Sequence, residues 1–320
     1  MPRPDLTALQ ASAELVYRSM TPTAQIRWPL LAMRCACEVW VKHENHTPTG
    51  AFKIRGGLVY MDDLVRRAPD VPGVIAATRG NHGQSVAYAA RAHGVKAVIV
   101  VPHGNSAAKN KAMRAYGAEL IEHGDDFNGA LDHAMALAHE RGLHMMGSYH
   151  ELLVRGVASY SLEMFSAAPD LDALYVPIGL GSGVCAAIAA RDALNLKTRI
   201  VGVVSENAAA YALSFEAKRP VSTDSADTFA DGVAVRVPDP DALEVILAGV
   251  ERVVTVSDQE ILAAMGHYFD DTHNIAEGAG AAPLAALLKE REAMAGKSVG
   301  LVLSGGNLDR DLYIRALGKA

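Results

Sequence analysis

Short apolar segments alternate with helical periodicity along most of this 320-residue chain. The sequence predicts strands at 37–42, 74–77, 97–101, 119–122, 172–177, 200–204, 253–256 and 299–303. Between these segments apolar residues recur at the spacing of helices, and several of the predicted helices end at a glycine. Pro22 and Pro29 predict an extended stretch before the strand at 37–42. Short strands that alternate with helices are typical of βαβ units. We therefore expect an α/β fold of mostly parallel sheets with helices on both faces.

The length of the chain is sufficient for one large domain or two medium ones. No clean linker divides the sequence, so we expect one domain to be inserted in another. The prediction is a small domain at 46–149 and a large domain formed by 1–45 and 150–320. In open α/β sheets ligands bind at the carboxyl ends of the strands, so the candidate site loops should follow strands.

Composition narrows the range of partners. The net charge is −6 and the charges are interspersed, which argues against nucleic acid. No apolar run approaches the roughly 18 residues of a membrane span, and the first residues lack the apolar core of a signal peptide. The three cysteines, Cys35, Cys37 and Cys185, indicate reduced thiols in a cytoplasmic protein. We predict that Cys35 and Cys37 share one face of a strand, and with no second pair nearby we expect no zinc site.

Lys53 stands in the segment TGAFKIRGG at 49–57. It follows Ala51 and Phe52 and precedes a stretch in which a helix can begin. A lysine held against an aromatic ring can be partly dehydrated, which disfavours the ammonium form and makes the amine more nucleophilic. The ordinary alternative is a surface lysine at the start of a helix, since most lysines are exposed.

A glycine-rich loop at 179–183 follows the predicted strand at 172–177 and leads into a helix. Its alternating glycines would let backbone N–H groups approach an anion, and the helix N-terminus favours negative charge. A phosphate is therefore the natural ligand, and a tight packing turn is the alternative. A dinucleotide site with Glu206 near the ribose is a second alternative, but the third glycine comes one place too early for that fingerprint.

Three further polar loops follow predicted strands or open predicted helices. The loop at 78–84 carries Asn81 and could hold a carboxylate at a helix N-terminus. The loop at 304–307 begins with Ser304, whose hydroxyl can donate or accept a hydrogen bond. Glu277 stands at a predicted helix start. Each loop alone also fits an ordinary turn or cap, but four of them beside one hydrophobically flanked lysine indicate a shared site.

Together these motifs resemble the fold type II pyridoxal-phosphate enzymes, specifically the serine/threonine dehydratase branch. The lysine motif of that family is similar to 51–57, its asparagine loop to 80–84, its phosphate loop to 179–183 and its serine-glycine-glycine-asparagine segment to 304–307. The motifs occur in family order between residues 48 and 307. The resemblance implies two open, twisted, mostly parallel sheets flanked by helices, as in the tryptophan synthase β-subunit, with pyridoxal 5′-phosphate between the two domains.

The resemblance also implies roles for individual residues. Lys53 would hold the cofactor through a Schiff base and later act as the base at Cα. Phe52 would pack near the pyridine ring, Asn81 would hydrogen-bond the 3′ oxygen, Ser304 would bond the pyridine nitrogen and Glu277 would lie nearby. The phosphate would be held by backbone amides of the glycine loop, those of Gly179, Gly181, Ser182 and Gly183. The substrate carboxylate would be held by the loop residues Thr78, Arg79, Gly80 and His82.

The activity implied is removal of water from a β-hydroxy amino acid, giving a 2-oxo acid and ammonia, with L-threonine or L-serine as substrate. A serine at the pyridine nitrogen makes the ring a milder electron sink, which favours loss of the β-hydroxyl. Arg79 leaves phenylserine or 3-hydroxyaspartate open as substrates, because a guanidinium can pair with an acidic or bulky group. Racemases of the fold carry serine at position 79, so racemase activity is the weaker alternative. A divalent cation near Glu206 stays open.

Two interpretations from other functional classes remain as alternatives. One is a non-catalytic amino-acid-binding relative, and the other is a nicotinamide-dependent oxidoreductase. The intact lysine argues against the first, and the combination of motifs argues against the second. Members of the family are often dimers, so we expect a homodimer.

Overall fold

The computed structural model describes residues 4–318, which form two sheets flanked by helices. The strands are β1 (Gln25–Arg27), β2 (Glu38–His43), β3 (Val74–Ala77), β4 (Ala97–Val101), β5 (Glu119–Glu122), β6 (His144–Met145), β7 (Ala173–Pro177), β8 (Arg199–Ser205), β9 (Val250–Val256) and β10 (Ser298–Leu303). The helices are α1 (Leu6–Tyr17), α2 (Pro29–Cys35), α3 (Lys53–Arg67), α4 (Asn81–Ala92), α5 (Ala107–Ala115), α6 (Phe127–Arg141), α7 (Glu151–Ala167), α8 (Ser182–Ala193), α9 (Ala210–Ala217), α10 (Pro240–Gly249), α11 (Asp258–Thr272), α12 (Gly278–Lys289) and α13 (Arg310–Leu317).

The larger sheet has the order β1-β2-β10-β7-β8-β9, and the smaller has the order β5-β4-β3-β6. Only the β1–β2 pair is antiparallel among the strand pairs of the described residues. The α/β fold class with two mostly parallel sheets is thereby confirmed. The smaller sheet draws its strands from 74–145 and the larger from 25–43 and 173–303. This separation supports the division into domains at 46–149 and 1–45 plus 150–320, which stays a proposal.

The larger sheet is buried on both faces. Along β7, Ala173 and Tyr175 pack into one hydrophobic cluster, whereas Leu174 and Val176 pack into the cluster on the opposite face. Successive side chains of a strand point to opposite faces, so a strand covered on both sides must be apolar at every position. Burial on both faces explains why the strand segments read as continuous apolar runs in the sequence.

Two helices were not predicted from the sequence. The stretch after Pro29 was expected to be extended, but Pro29 is the first residue of α2, a position that suits its fixed φ and missing N–H. Placing Cys35 and Cys37 in one strand was therefore wrong: Cys35 ends α2, Ala36 turns the chain at φ 56°, and β2 starts after Cys37. Likewise α10 begins at Pro240 in a region for which no helix was predicted.

Among residues 4–318, no helix is both long enough and apolar enough to cross a bilayer.

Candidate active site

Lys53 is the first residue of α3, and its side chain is half-buried. Its Nζ atom lies 2.9 Å from the hydroxyl of Ser182 and 4.9 Å from the centre of the Phe52 ring. Burial lowers the pKa of the Lys53 amine to about 8, because a poorly solvated site disfavours the charged form. A much larger fraction of this amine is therefore uncharged near neutral pH than of an ordinary lysine, as a nucleophile or a base requires.

The segment before Lys53 is fixed to the loop that follows β10. Ala51 and Gly305 form an isolated β-bridge, and the Phe52 amide donates to the Ser304 carbonyl at 3.0 Å. The Gly306 amide donates to the Gly50 carbonyl at 2.9 Å. The lysine and the predicted Ser304 site are thus joined through the backbone, which no single motif could have revealed.

Beyond Lys53, α3 is held by a buried charge network. Arg55, two residues on, donates hydrogen bonds to both carboxylate oxygens of Glu44 and of Glu163, and Lys42 donates to Glu163. None of these four side chains is more than 8% exposed. Two cations and two anions balance each other here, so the network is neutral as a unit. It fixes the first turn of α3 and hence the position from which the Lys53 side chain extends.

The glycine loop runs from β7 to the N-terminus of α8. Gly181 has φ +107°, a left-handed conformation that glycine adopts without steric cost, and it caps the helix without a side-chain hydrogen bond. The first-turn amides of Ser182, Gly183 and Val184 consequently have no acceptor within the helix. The loop is supported from behind by Tyr211, whose hydroxyl donates to the Leu180 carbonyl at 3.0 Å. Free amides at a helix N-terminus form an anion site, and the Lys53 amine lies beside it.

Asn81 opens α4 after β3, and both ends of its amide are engaged. Its Nδ2 donates to Glu277 Oε1 at 2.6 Å, and its Oδ1 accepts from Asn307 Nδ2 at 2.9 Å. Glu277 is buried at the N-terminus of α12 but does not cap that helix. Burial raises the pKa of the Glu277 carboxyl, while the charge of Lys109 and the hydrogen bond from Asn81 oppose that rise.

The predicted substrate loop also begins α4. The Gly80 amide donates to Thr78 Oγ1 at 3.0 Å, and Gly80 caps the helix without a side-chain hydrogen bond. The first-turn amides of α4 are therefore available to a carboxylate. His82 is buried with Nε2 3.3 Å from the Met146 carbonyl. Burial, and then the nearby charge of Lys53, lower the pKa of His82 to about 4, so its imidazole is neutral at physiological pH.

Arg79 is half exposed, and it pairs with a carboxylate. Its guanidinium lies 3.4 Å from Asp231, and the Lys109 amine lies 3.2 Å from the other oxygen of Asp231. A small open cavity adjoins this cluster and is lined by Lys109, Asp231, Glu277 and Asn307 among others, but not by Lys53. Sequence analysis did not single out Lys109 or Asp231, because neither lies in a loop with a recognisable motif. Asn307 was inside a recognised motif but received no role.

The described residues contain no group of three or more histidine, cysteine, aspartate or glutamate side chains arranged to hold a metal ion. Glu206 begins a short 3₁₀ turn after β8.

The residues present fit pyridoxal 5′-phosphate. The uncapped start of α8 would accept the phosphate, and the Lys53 amine beside it would meet the aldehyde. Ser304 is buried at the end of β10. Lys53 contacts both Phe52 and Ser182, and Asn81 contacts Glu277. Their individual roles toward the cofactor stay predictions.

Comparison with known proteins also indicates a pyridoxal-phosphate-dependent enzyme. The family model of pyridoxal-phosphate dependent enzymes matches residues 16–305. The chain is 32% identical over 288 residues to an L-threonine ammonia-lyase of Thermotoga maritima, covering 88% of this chain and 70% of that protein. It is 35% identical over 306 residues to an L-threonine ammonia-lyase of Geobacter sulfurreducens, covering 95% and 75%. It is 31% identical over 312 residues to a biosynthetic L-threonine dehydratase of Haemophilus influenzae, covering 95% of this chain and 60% of that protein.

Solved structures share the architecture. The processed form of threonine deaminase isoform 2 from Solanum lycopersicum superposes with a TM-score of 0.90 at 27% identity, covering 100% of this chain and 96% of that one. A pyridoxal 5′-phosphate-dependent aspartate racemase superposes with a TM-score of 0.89, also at 27% identity, covering 96% and 97%. Both likenesses extend over nearly the whole of each chain.

Proposed function

The chain belongs to the family of pyridoxal-phosphate-dependent enzymes, and from this we propose that it is an ammonia-lyase that converts L-threonine to a 2-oxo acid and ammonia. One observation carries the proposal: the amine of Lys53, with its pKa lowered to about 8, lies 2.9 Å from Ser182 at the uncapped N-terminus of α8. A nucleophilic amine beside an anion site is the arrangement that a phosphorylated aldehyde requires. L-Serine, one methyl group smaller, is the second substrate we propose.

The residues that would hold the cofactor come from the lysine segment and four polar loops. Lys53 would bind its aldehyde carbon, and Phe52 would pack near its ring. Asn81 would hydrogen-bond the 3′ oxygen, Ser304 would bond the pyridine nitrogen, and Glu277 would lie near the ring. Its phosphate would be held by amides of the glycine loop, those of Gly179, Gly181, Ser182 and Gly183. When bound, pyridoxal phosphate supplies the electron sink that makes the Cα proton of an amino acid removable.

The protein contributes binding, orientation and proton transfer. The substrate carboxylate would bind at the N-terminus of α4, where Thr78, Arg79, Gly80 and His82 lie and the first-turn amides are free. His82 would act there as a neutral group, since its pKa is lowered to about 4. Lys53, once displaced by the substrate amine, would accept the Cα proton, for which its pKa near neutrality is suited.

The surroundings of Arg79 favour a neutral side chain on the substrate. Asp231 already lies 3.4 Å from the Arg79 guanidinium, so an acidic substrate such as 3-hydroxyaspartate would have to compete with a fixed carboxylate. A racemase would need a second base where Arg79 stands, and a guanidinium does not lose its proton in proteins. Both considerations support elimination from L-threonine or L-serine over 3-hydroxyaspartate dehydration or racemisation. They do not bear on phenylserine.

The test begins with borohydride reduction of the purified protein. We expect a yellow protein whose colour is lost on reduction, with the label on the peptide that contains Lys53. Lys53→Ala should abolish ammonia release from L-threonine, whereas Ser182→Ala, which removes only the hydrogen-bond partner of the amine, should keep the label. Label at another lysine, or turnover by Lys53→Ala, would reject the proposal. Parallel assays with L-serine, phenylserine, 3-hydroxyaspartate and D-amino acids separate the substrate alternatives.

We also propose a cytoplasmic homodimer. The three thiols are free and buried, as is usual in a reducing compartment. Large apolar side chains are exposed on the neighbouring helices α2, α11 and α13, where Met33 is 75% exposed and Leu30, Phe269 and Ile314 are also uncovered. We expect light scattering to give twice the chain mass and Met33→Glu to lower it toward one chain. A monomeric wild-type protein would contradict the dimer.

A further inference from the structure

The amide of Asn81 could in principle stand in either of two orientations, because its oxygen and nitrogen have similar shapes. Its partners remove that choice. Asn307 Nδ2 donates to the backbone carbonyl of Thr49 at 2.7 Å, and a carbonyl can only accept. The orientation of Asn307 is thereby fixed, and its remaining N–H must point to Asn81 Oδ1 at 2.9 Å. Asn81 must then turn its nitrogen the other way, toward Glu277 Oε1 at 2.6 Å.

The hydrogen bonds that join Thr49, Asn307, Asn81 and Glu277 form a series in which one N–H donor has no partner among the described residues. Asn307 uses both of its side-chain N–H groups, one on Thr49 and one on Asn81. Asn81 uses one of its two on Glu277. The second N–H of Asn81 is uncommitted, while its oxygen faces Asn307. The amide is therefore held in one orientation with one N–H free to donate.

The backbone around this hydrogen-bonded series leaves little room for its side chains to rearrange. A Cβ built on Gly50, where φ is +68°, would lie 2.6 Å from Asn307 Oδ1. A Cβ built on Gly305 would lie 2.7 Å from Glu277 Oε1. Both contacts are closer than real Cβ atoms come, so these glycines allow the two loops to close directly on the polar side chains.

Glu277 is the last acceptor in this hydrogen-bonded series. Its Oε2 atom is buried and makes no hydrogen bond within residues 4–318, and Lys109 Nζ lies 3.9 Å away. Lys109 is itself bound to Asp231 at 3.2 Å, so the cation is held in place beside the carboxylate. Burial raises the pKa of the Glu277 carboxyl, and the charge of Lys109 opposes that rise. Oε1 accepts from Asn81 whether or not Oε2 carries a proton.

We propose that Asn307 and Glu277 are positioning residues that lock the Asn81 amide as a one-way donor toward the 3′ oxygen of bound pyridoxal phosphate. The inference rests on the proposed function, since it concerns a group that only a cofactor-binding chain would hold. Neither positioning residue needs to touch the cofactor to have this effect. The 3′ oxygen carries negative charge, and a hydrogen bond to a charged group is stronger than one between neutral groups.

The decisive variant is Asn307→Asp, which keeps the shape of the side chain but removes both donors. The aspartate cannot donate to Thr49 or to Asn81 Oδ1, so the Asn81 amide is expected to turn or to divide its two N–H groups between two carboxylates. We expect a shift of the visible absorption maximum of the bound cofactor and a loss of at least about tenfold in its affinity, as the loss of one hydrogen bond to a charged group predicts. Asn307→Ala adds no competing acceptor and should have the smaller effect on both.

A matched control exists in Asn45. Its Nδ2 likewise donates to an asparagine oxygen, that of Asn274, and to a backbone carbonyl, that of Ile275, each at 3.3 Å. Asn45→Asp therefore makes the same chemical change at an Asn–Asn pair that has no hydrogen bond to Asn81. We expect the wild-type absorption maximum and a cofactor affinity within about twofold of wild type.

The ranking of the variants decides the question. If Asn307 only filled space, the truncation to alanine would be worse than the equal-sized aspartate, and the spectrum would not move with either. That ranking, or wild-type spectra and affinities in both Asn307 variants, overturns the inference while leaving the proposed function intact. A wild-type protein that binds no pyridoxal phosphate overturns the proposed function itself.

Discussion

Arg55 offers the sharpest test of what fixes the catalytic segment. It donates six hydrogen bonds to four side chains, those of Glu44, Ser159, Glu163 and Thr23. The substitution Arg55→Met keeps most of the length of the side chain but removes every donor. Glu44 is then left buried without a cation and keeps only the Thr23 hydroxyl, whereas Glu163 keeps Lys42 as its cation.

The expected loss of stability in Arg55→Met follows from the burial of the ion pairs that it breaks. Hydrogen bonds to charged groups contribute about 1.5–3 kcal/mol each but are not additive, because they share the same charges. Breaking a buried ion pair by removing one partner costs about 3–5 kcal/mol, since an uncompensated charge stays in a poorly solvated site. We therefore expect Arg55→Met to lower the free energy of unfolding by about 3–5 kcal/mol, a large share of the 5–15 kcal/mol typical of a folded protein.

The same helix supplies the control. Arg66 in α3 also pairs with a carboxylate, Asp62 at 3.0 Å, but its side chain is 68% exposed against 0% for Arg55. Exposed pairs of this kind contribute about 0.3–0.5 kcal/mol, so Arg66→Met should change stability by no more than about 0.5 kcal/mol. Urea unfolding of the apoprotein, followed by tryptophan fluorescence, measures both.

A second substitution checks the cause. Glu44→Gln removes the stranded charge, so adding it to Arg55→Met should cost much less than it does in the wild-type protein. A loss below about 1 kcal/mol for Arg55→Met, or strictly additive losses in the pair, would show that these charges are solvated and that the network does not anchor α3.

Three further outcomes follow from the structure. The reaction of Lys53 in the apoprotein with an aldehyde should rise with pH and level off above a midpoint near 8, because the uncharged amine exists above its pKa; a midpoint near the ordinary 10.5 would contradict the burial of the amine. Gly181→Ala should destabilise the protein by about 1–3 kcal/mol and weaken pyridoxal phosphate binding, because φ is +107° and the new Cβ would lie 2.6 Å from that of Ala242. Gly142→Ala, with positive φ but open space, should show only the smaller backbone cost in urea unfolding, and equal losses would refute the steric argument. Iodoacetamide at pH 8 should leave the native thiols unmodified and label all three after unfolding, because burial raises the pKa of each well above 8; rapid native labelling, counted by mass spectrometry, would contradict this. These thiols are Cys35, Cys37 and Cys185.

The fold class was predictable because its signals are local. The central strands β3, β4 and β7 are buried on both faces, so they read as apolar runs, and each site loop after a strand contains glycines or an amide side chain. The helices α2 and α10 were missed although a proline at the first helical position marks both of them. A proline in the first turn has no N–H that would need an acceptor, so at both positions it begins the helix and does not break it.

Other features could not have been predicted from local sequence. The pairing of Arg79 with Asp231 and the contact of Asn307 with Asn81 join segments that are far apart in the chain. Nothing in either segment specifies the partner, since an arginine or an asparagine in a loop is compatible with many partners. The motif at 304–307 pointed to Ser304, but the structure engages the Asn307 side chain with two loops at once.

The position of Lys53 is fixed from both sides, by different physical means. On its N-terminal side, the Ala51–Gly305 bridge and the Phe52 amide tie the chain to the loop after β10 through backbone hydrogen bonds. On its C-terminal side, Arg55 holds the first turn of α3 through buried charges. Backbone bonds do not depend on which side chains are present, whereas the charge network does. Substitutions at Arg55 should therefore loosen α3 while the Ala51–Gly305 bridge holds. Of the two restraints on Lys53, only the charge network can be removed by substituting a side chain.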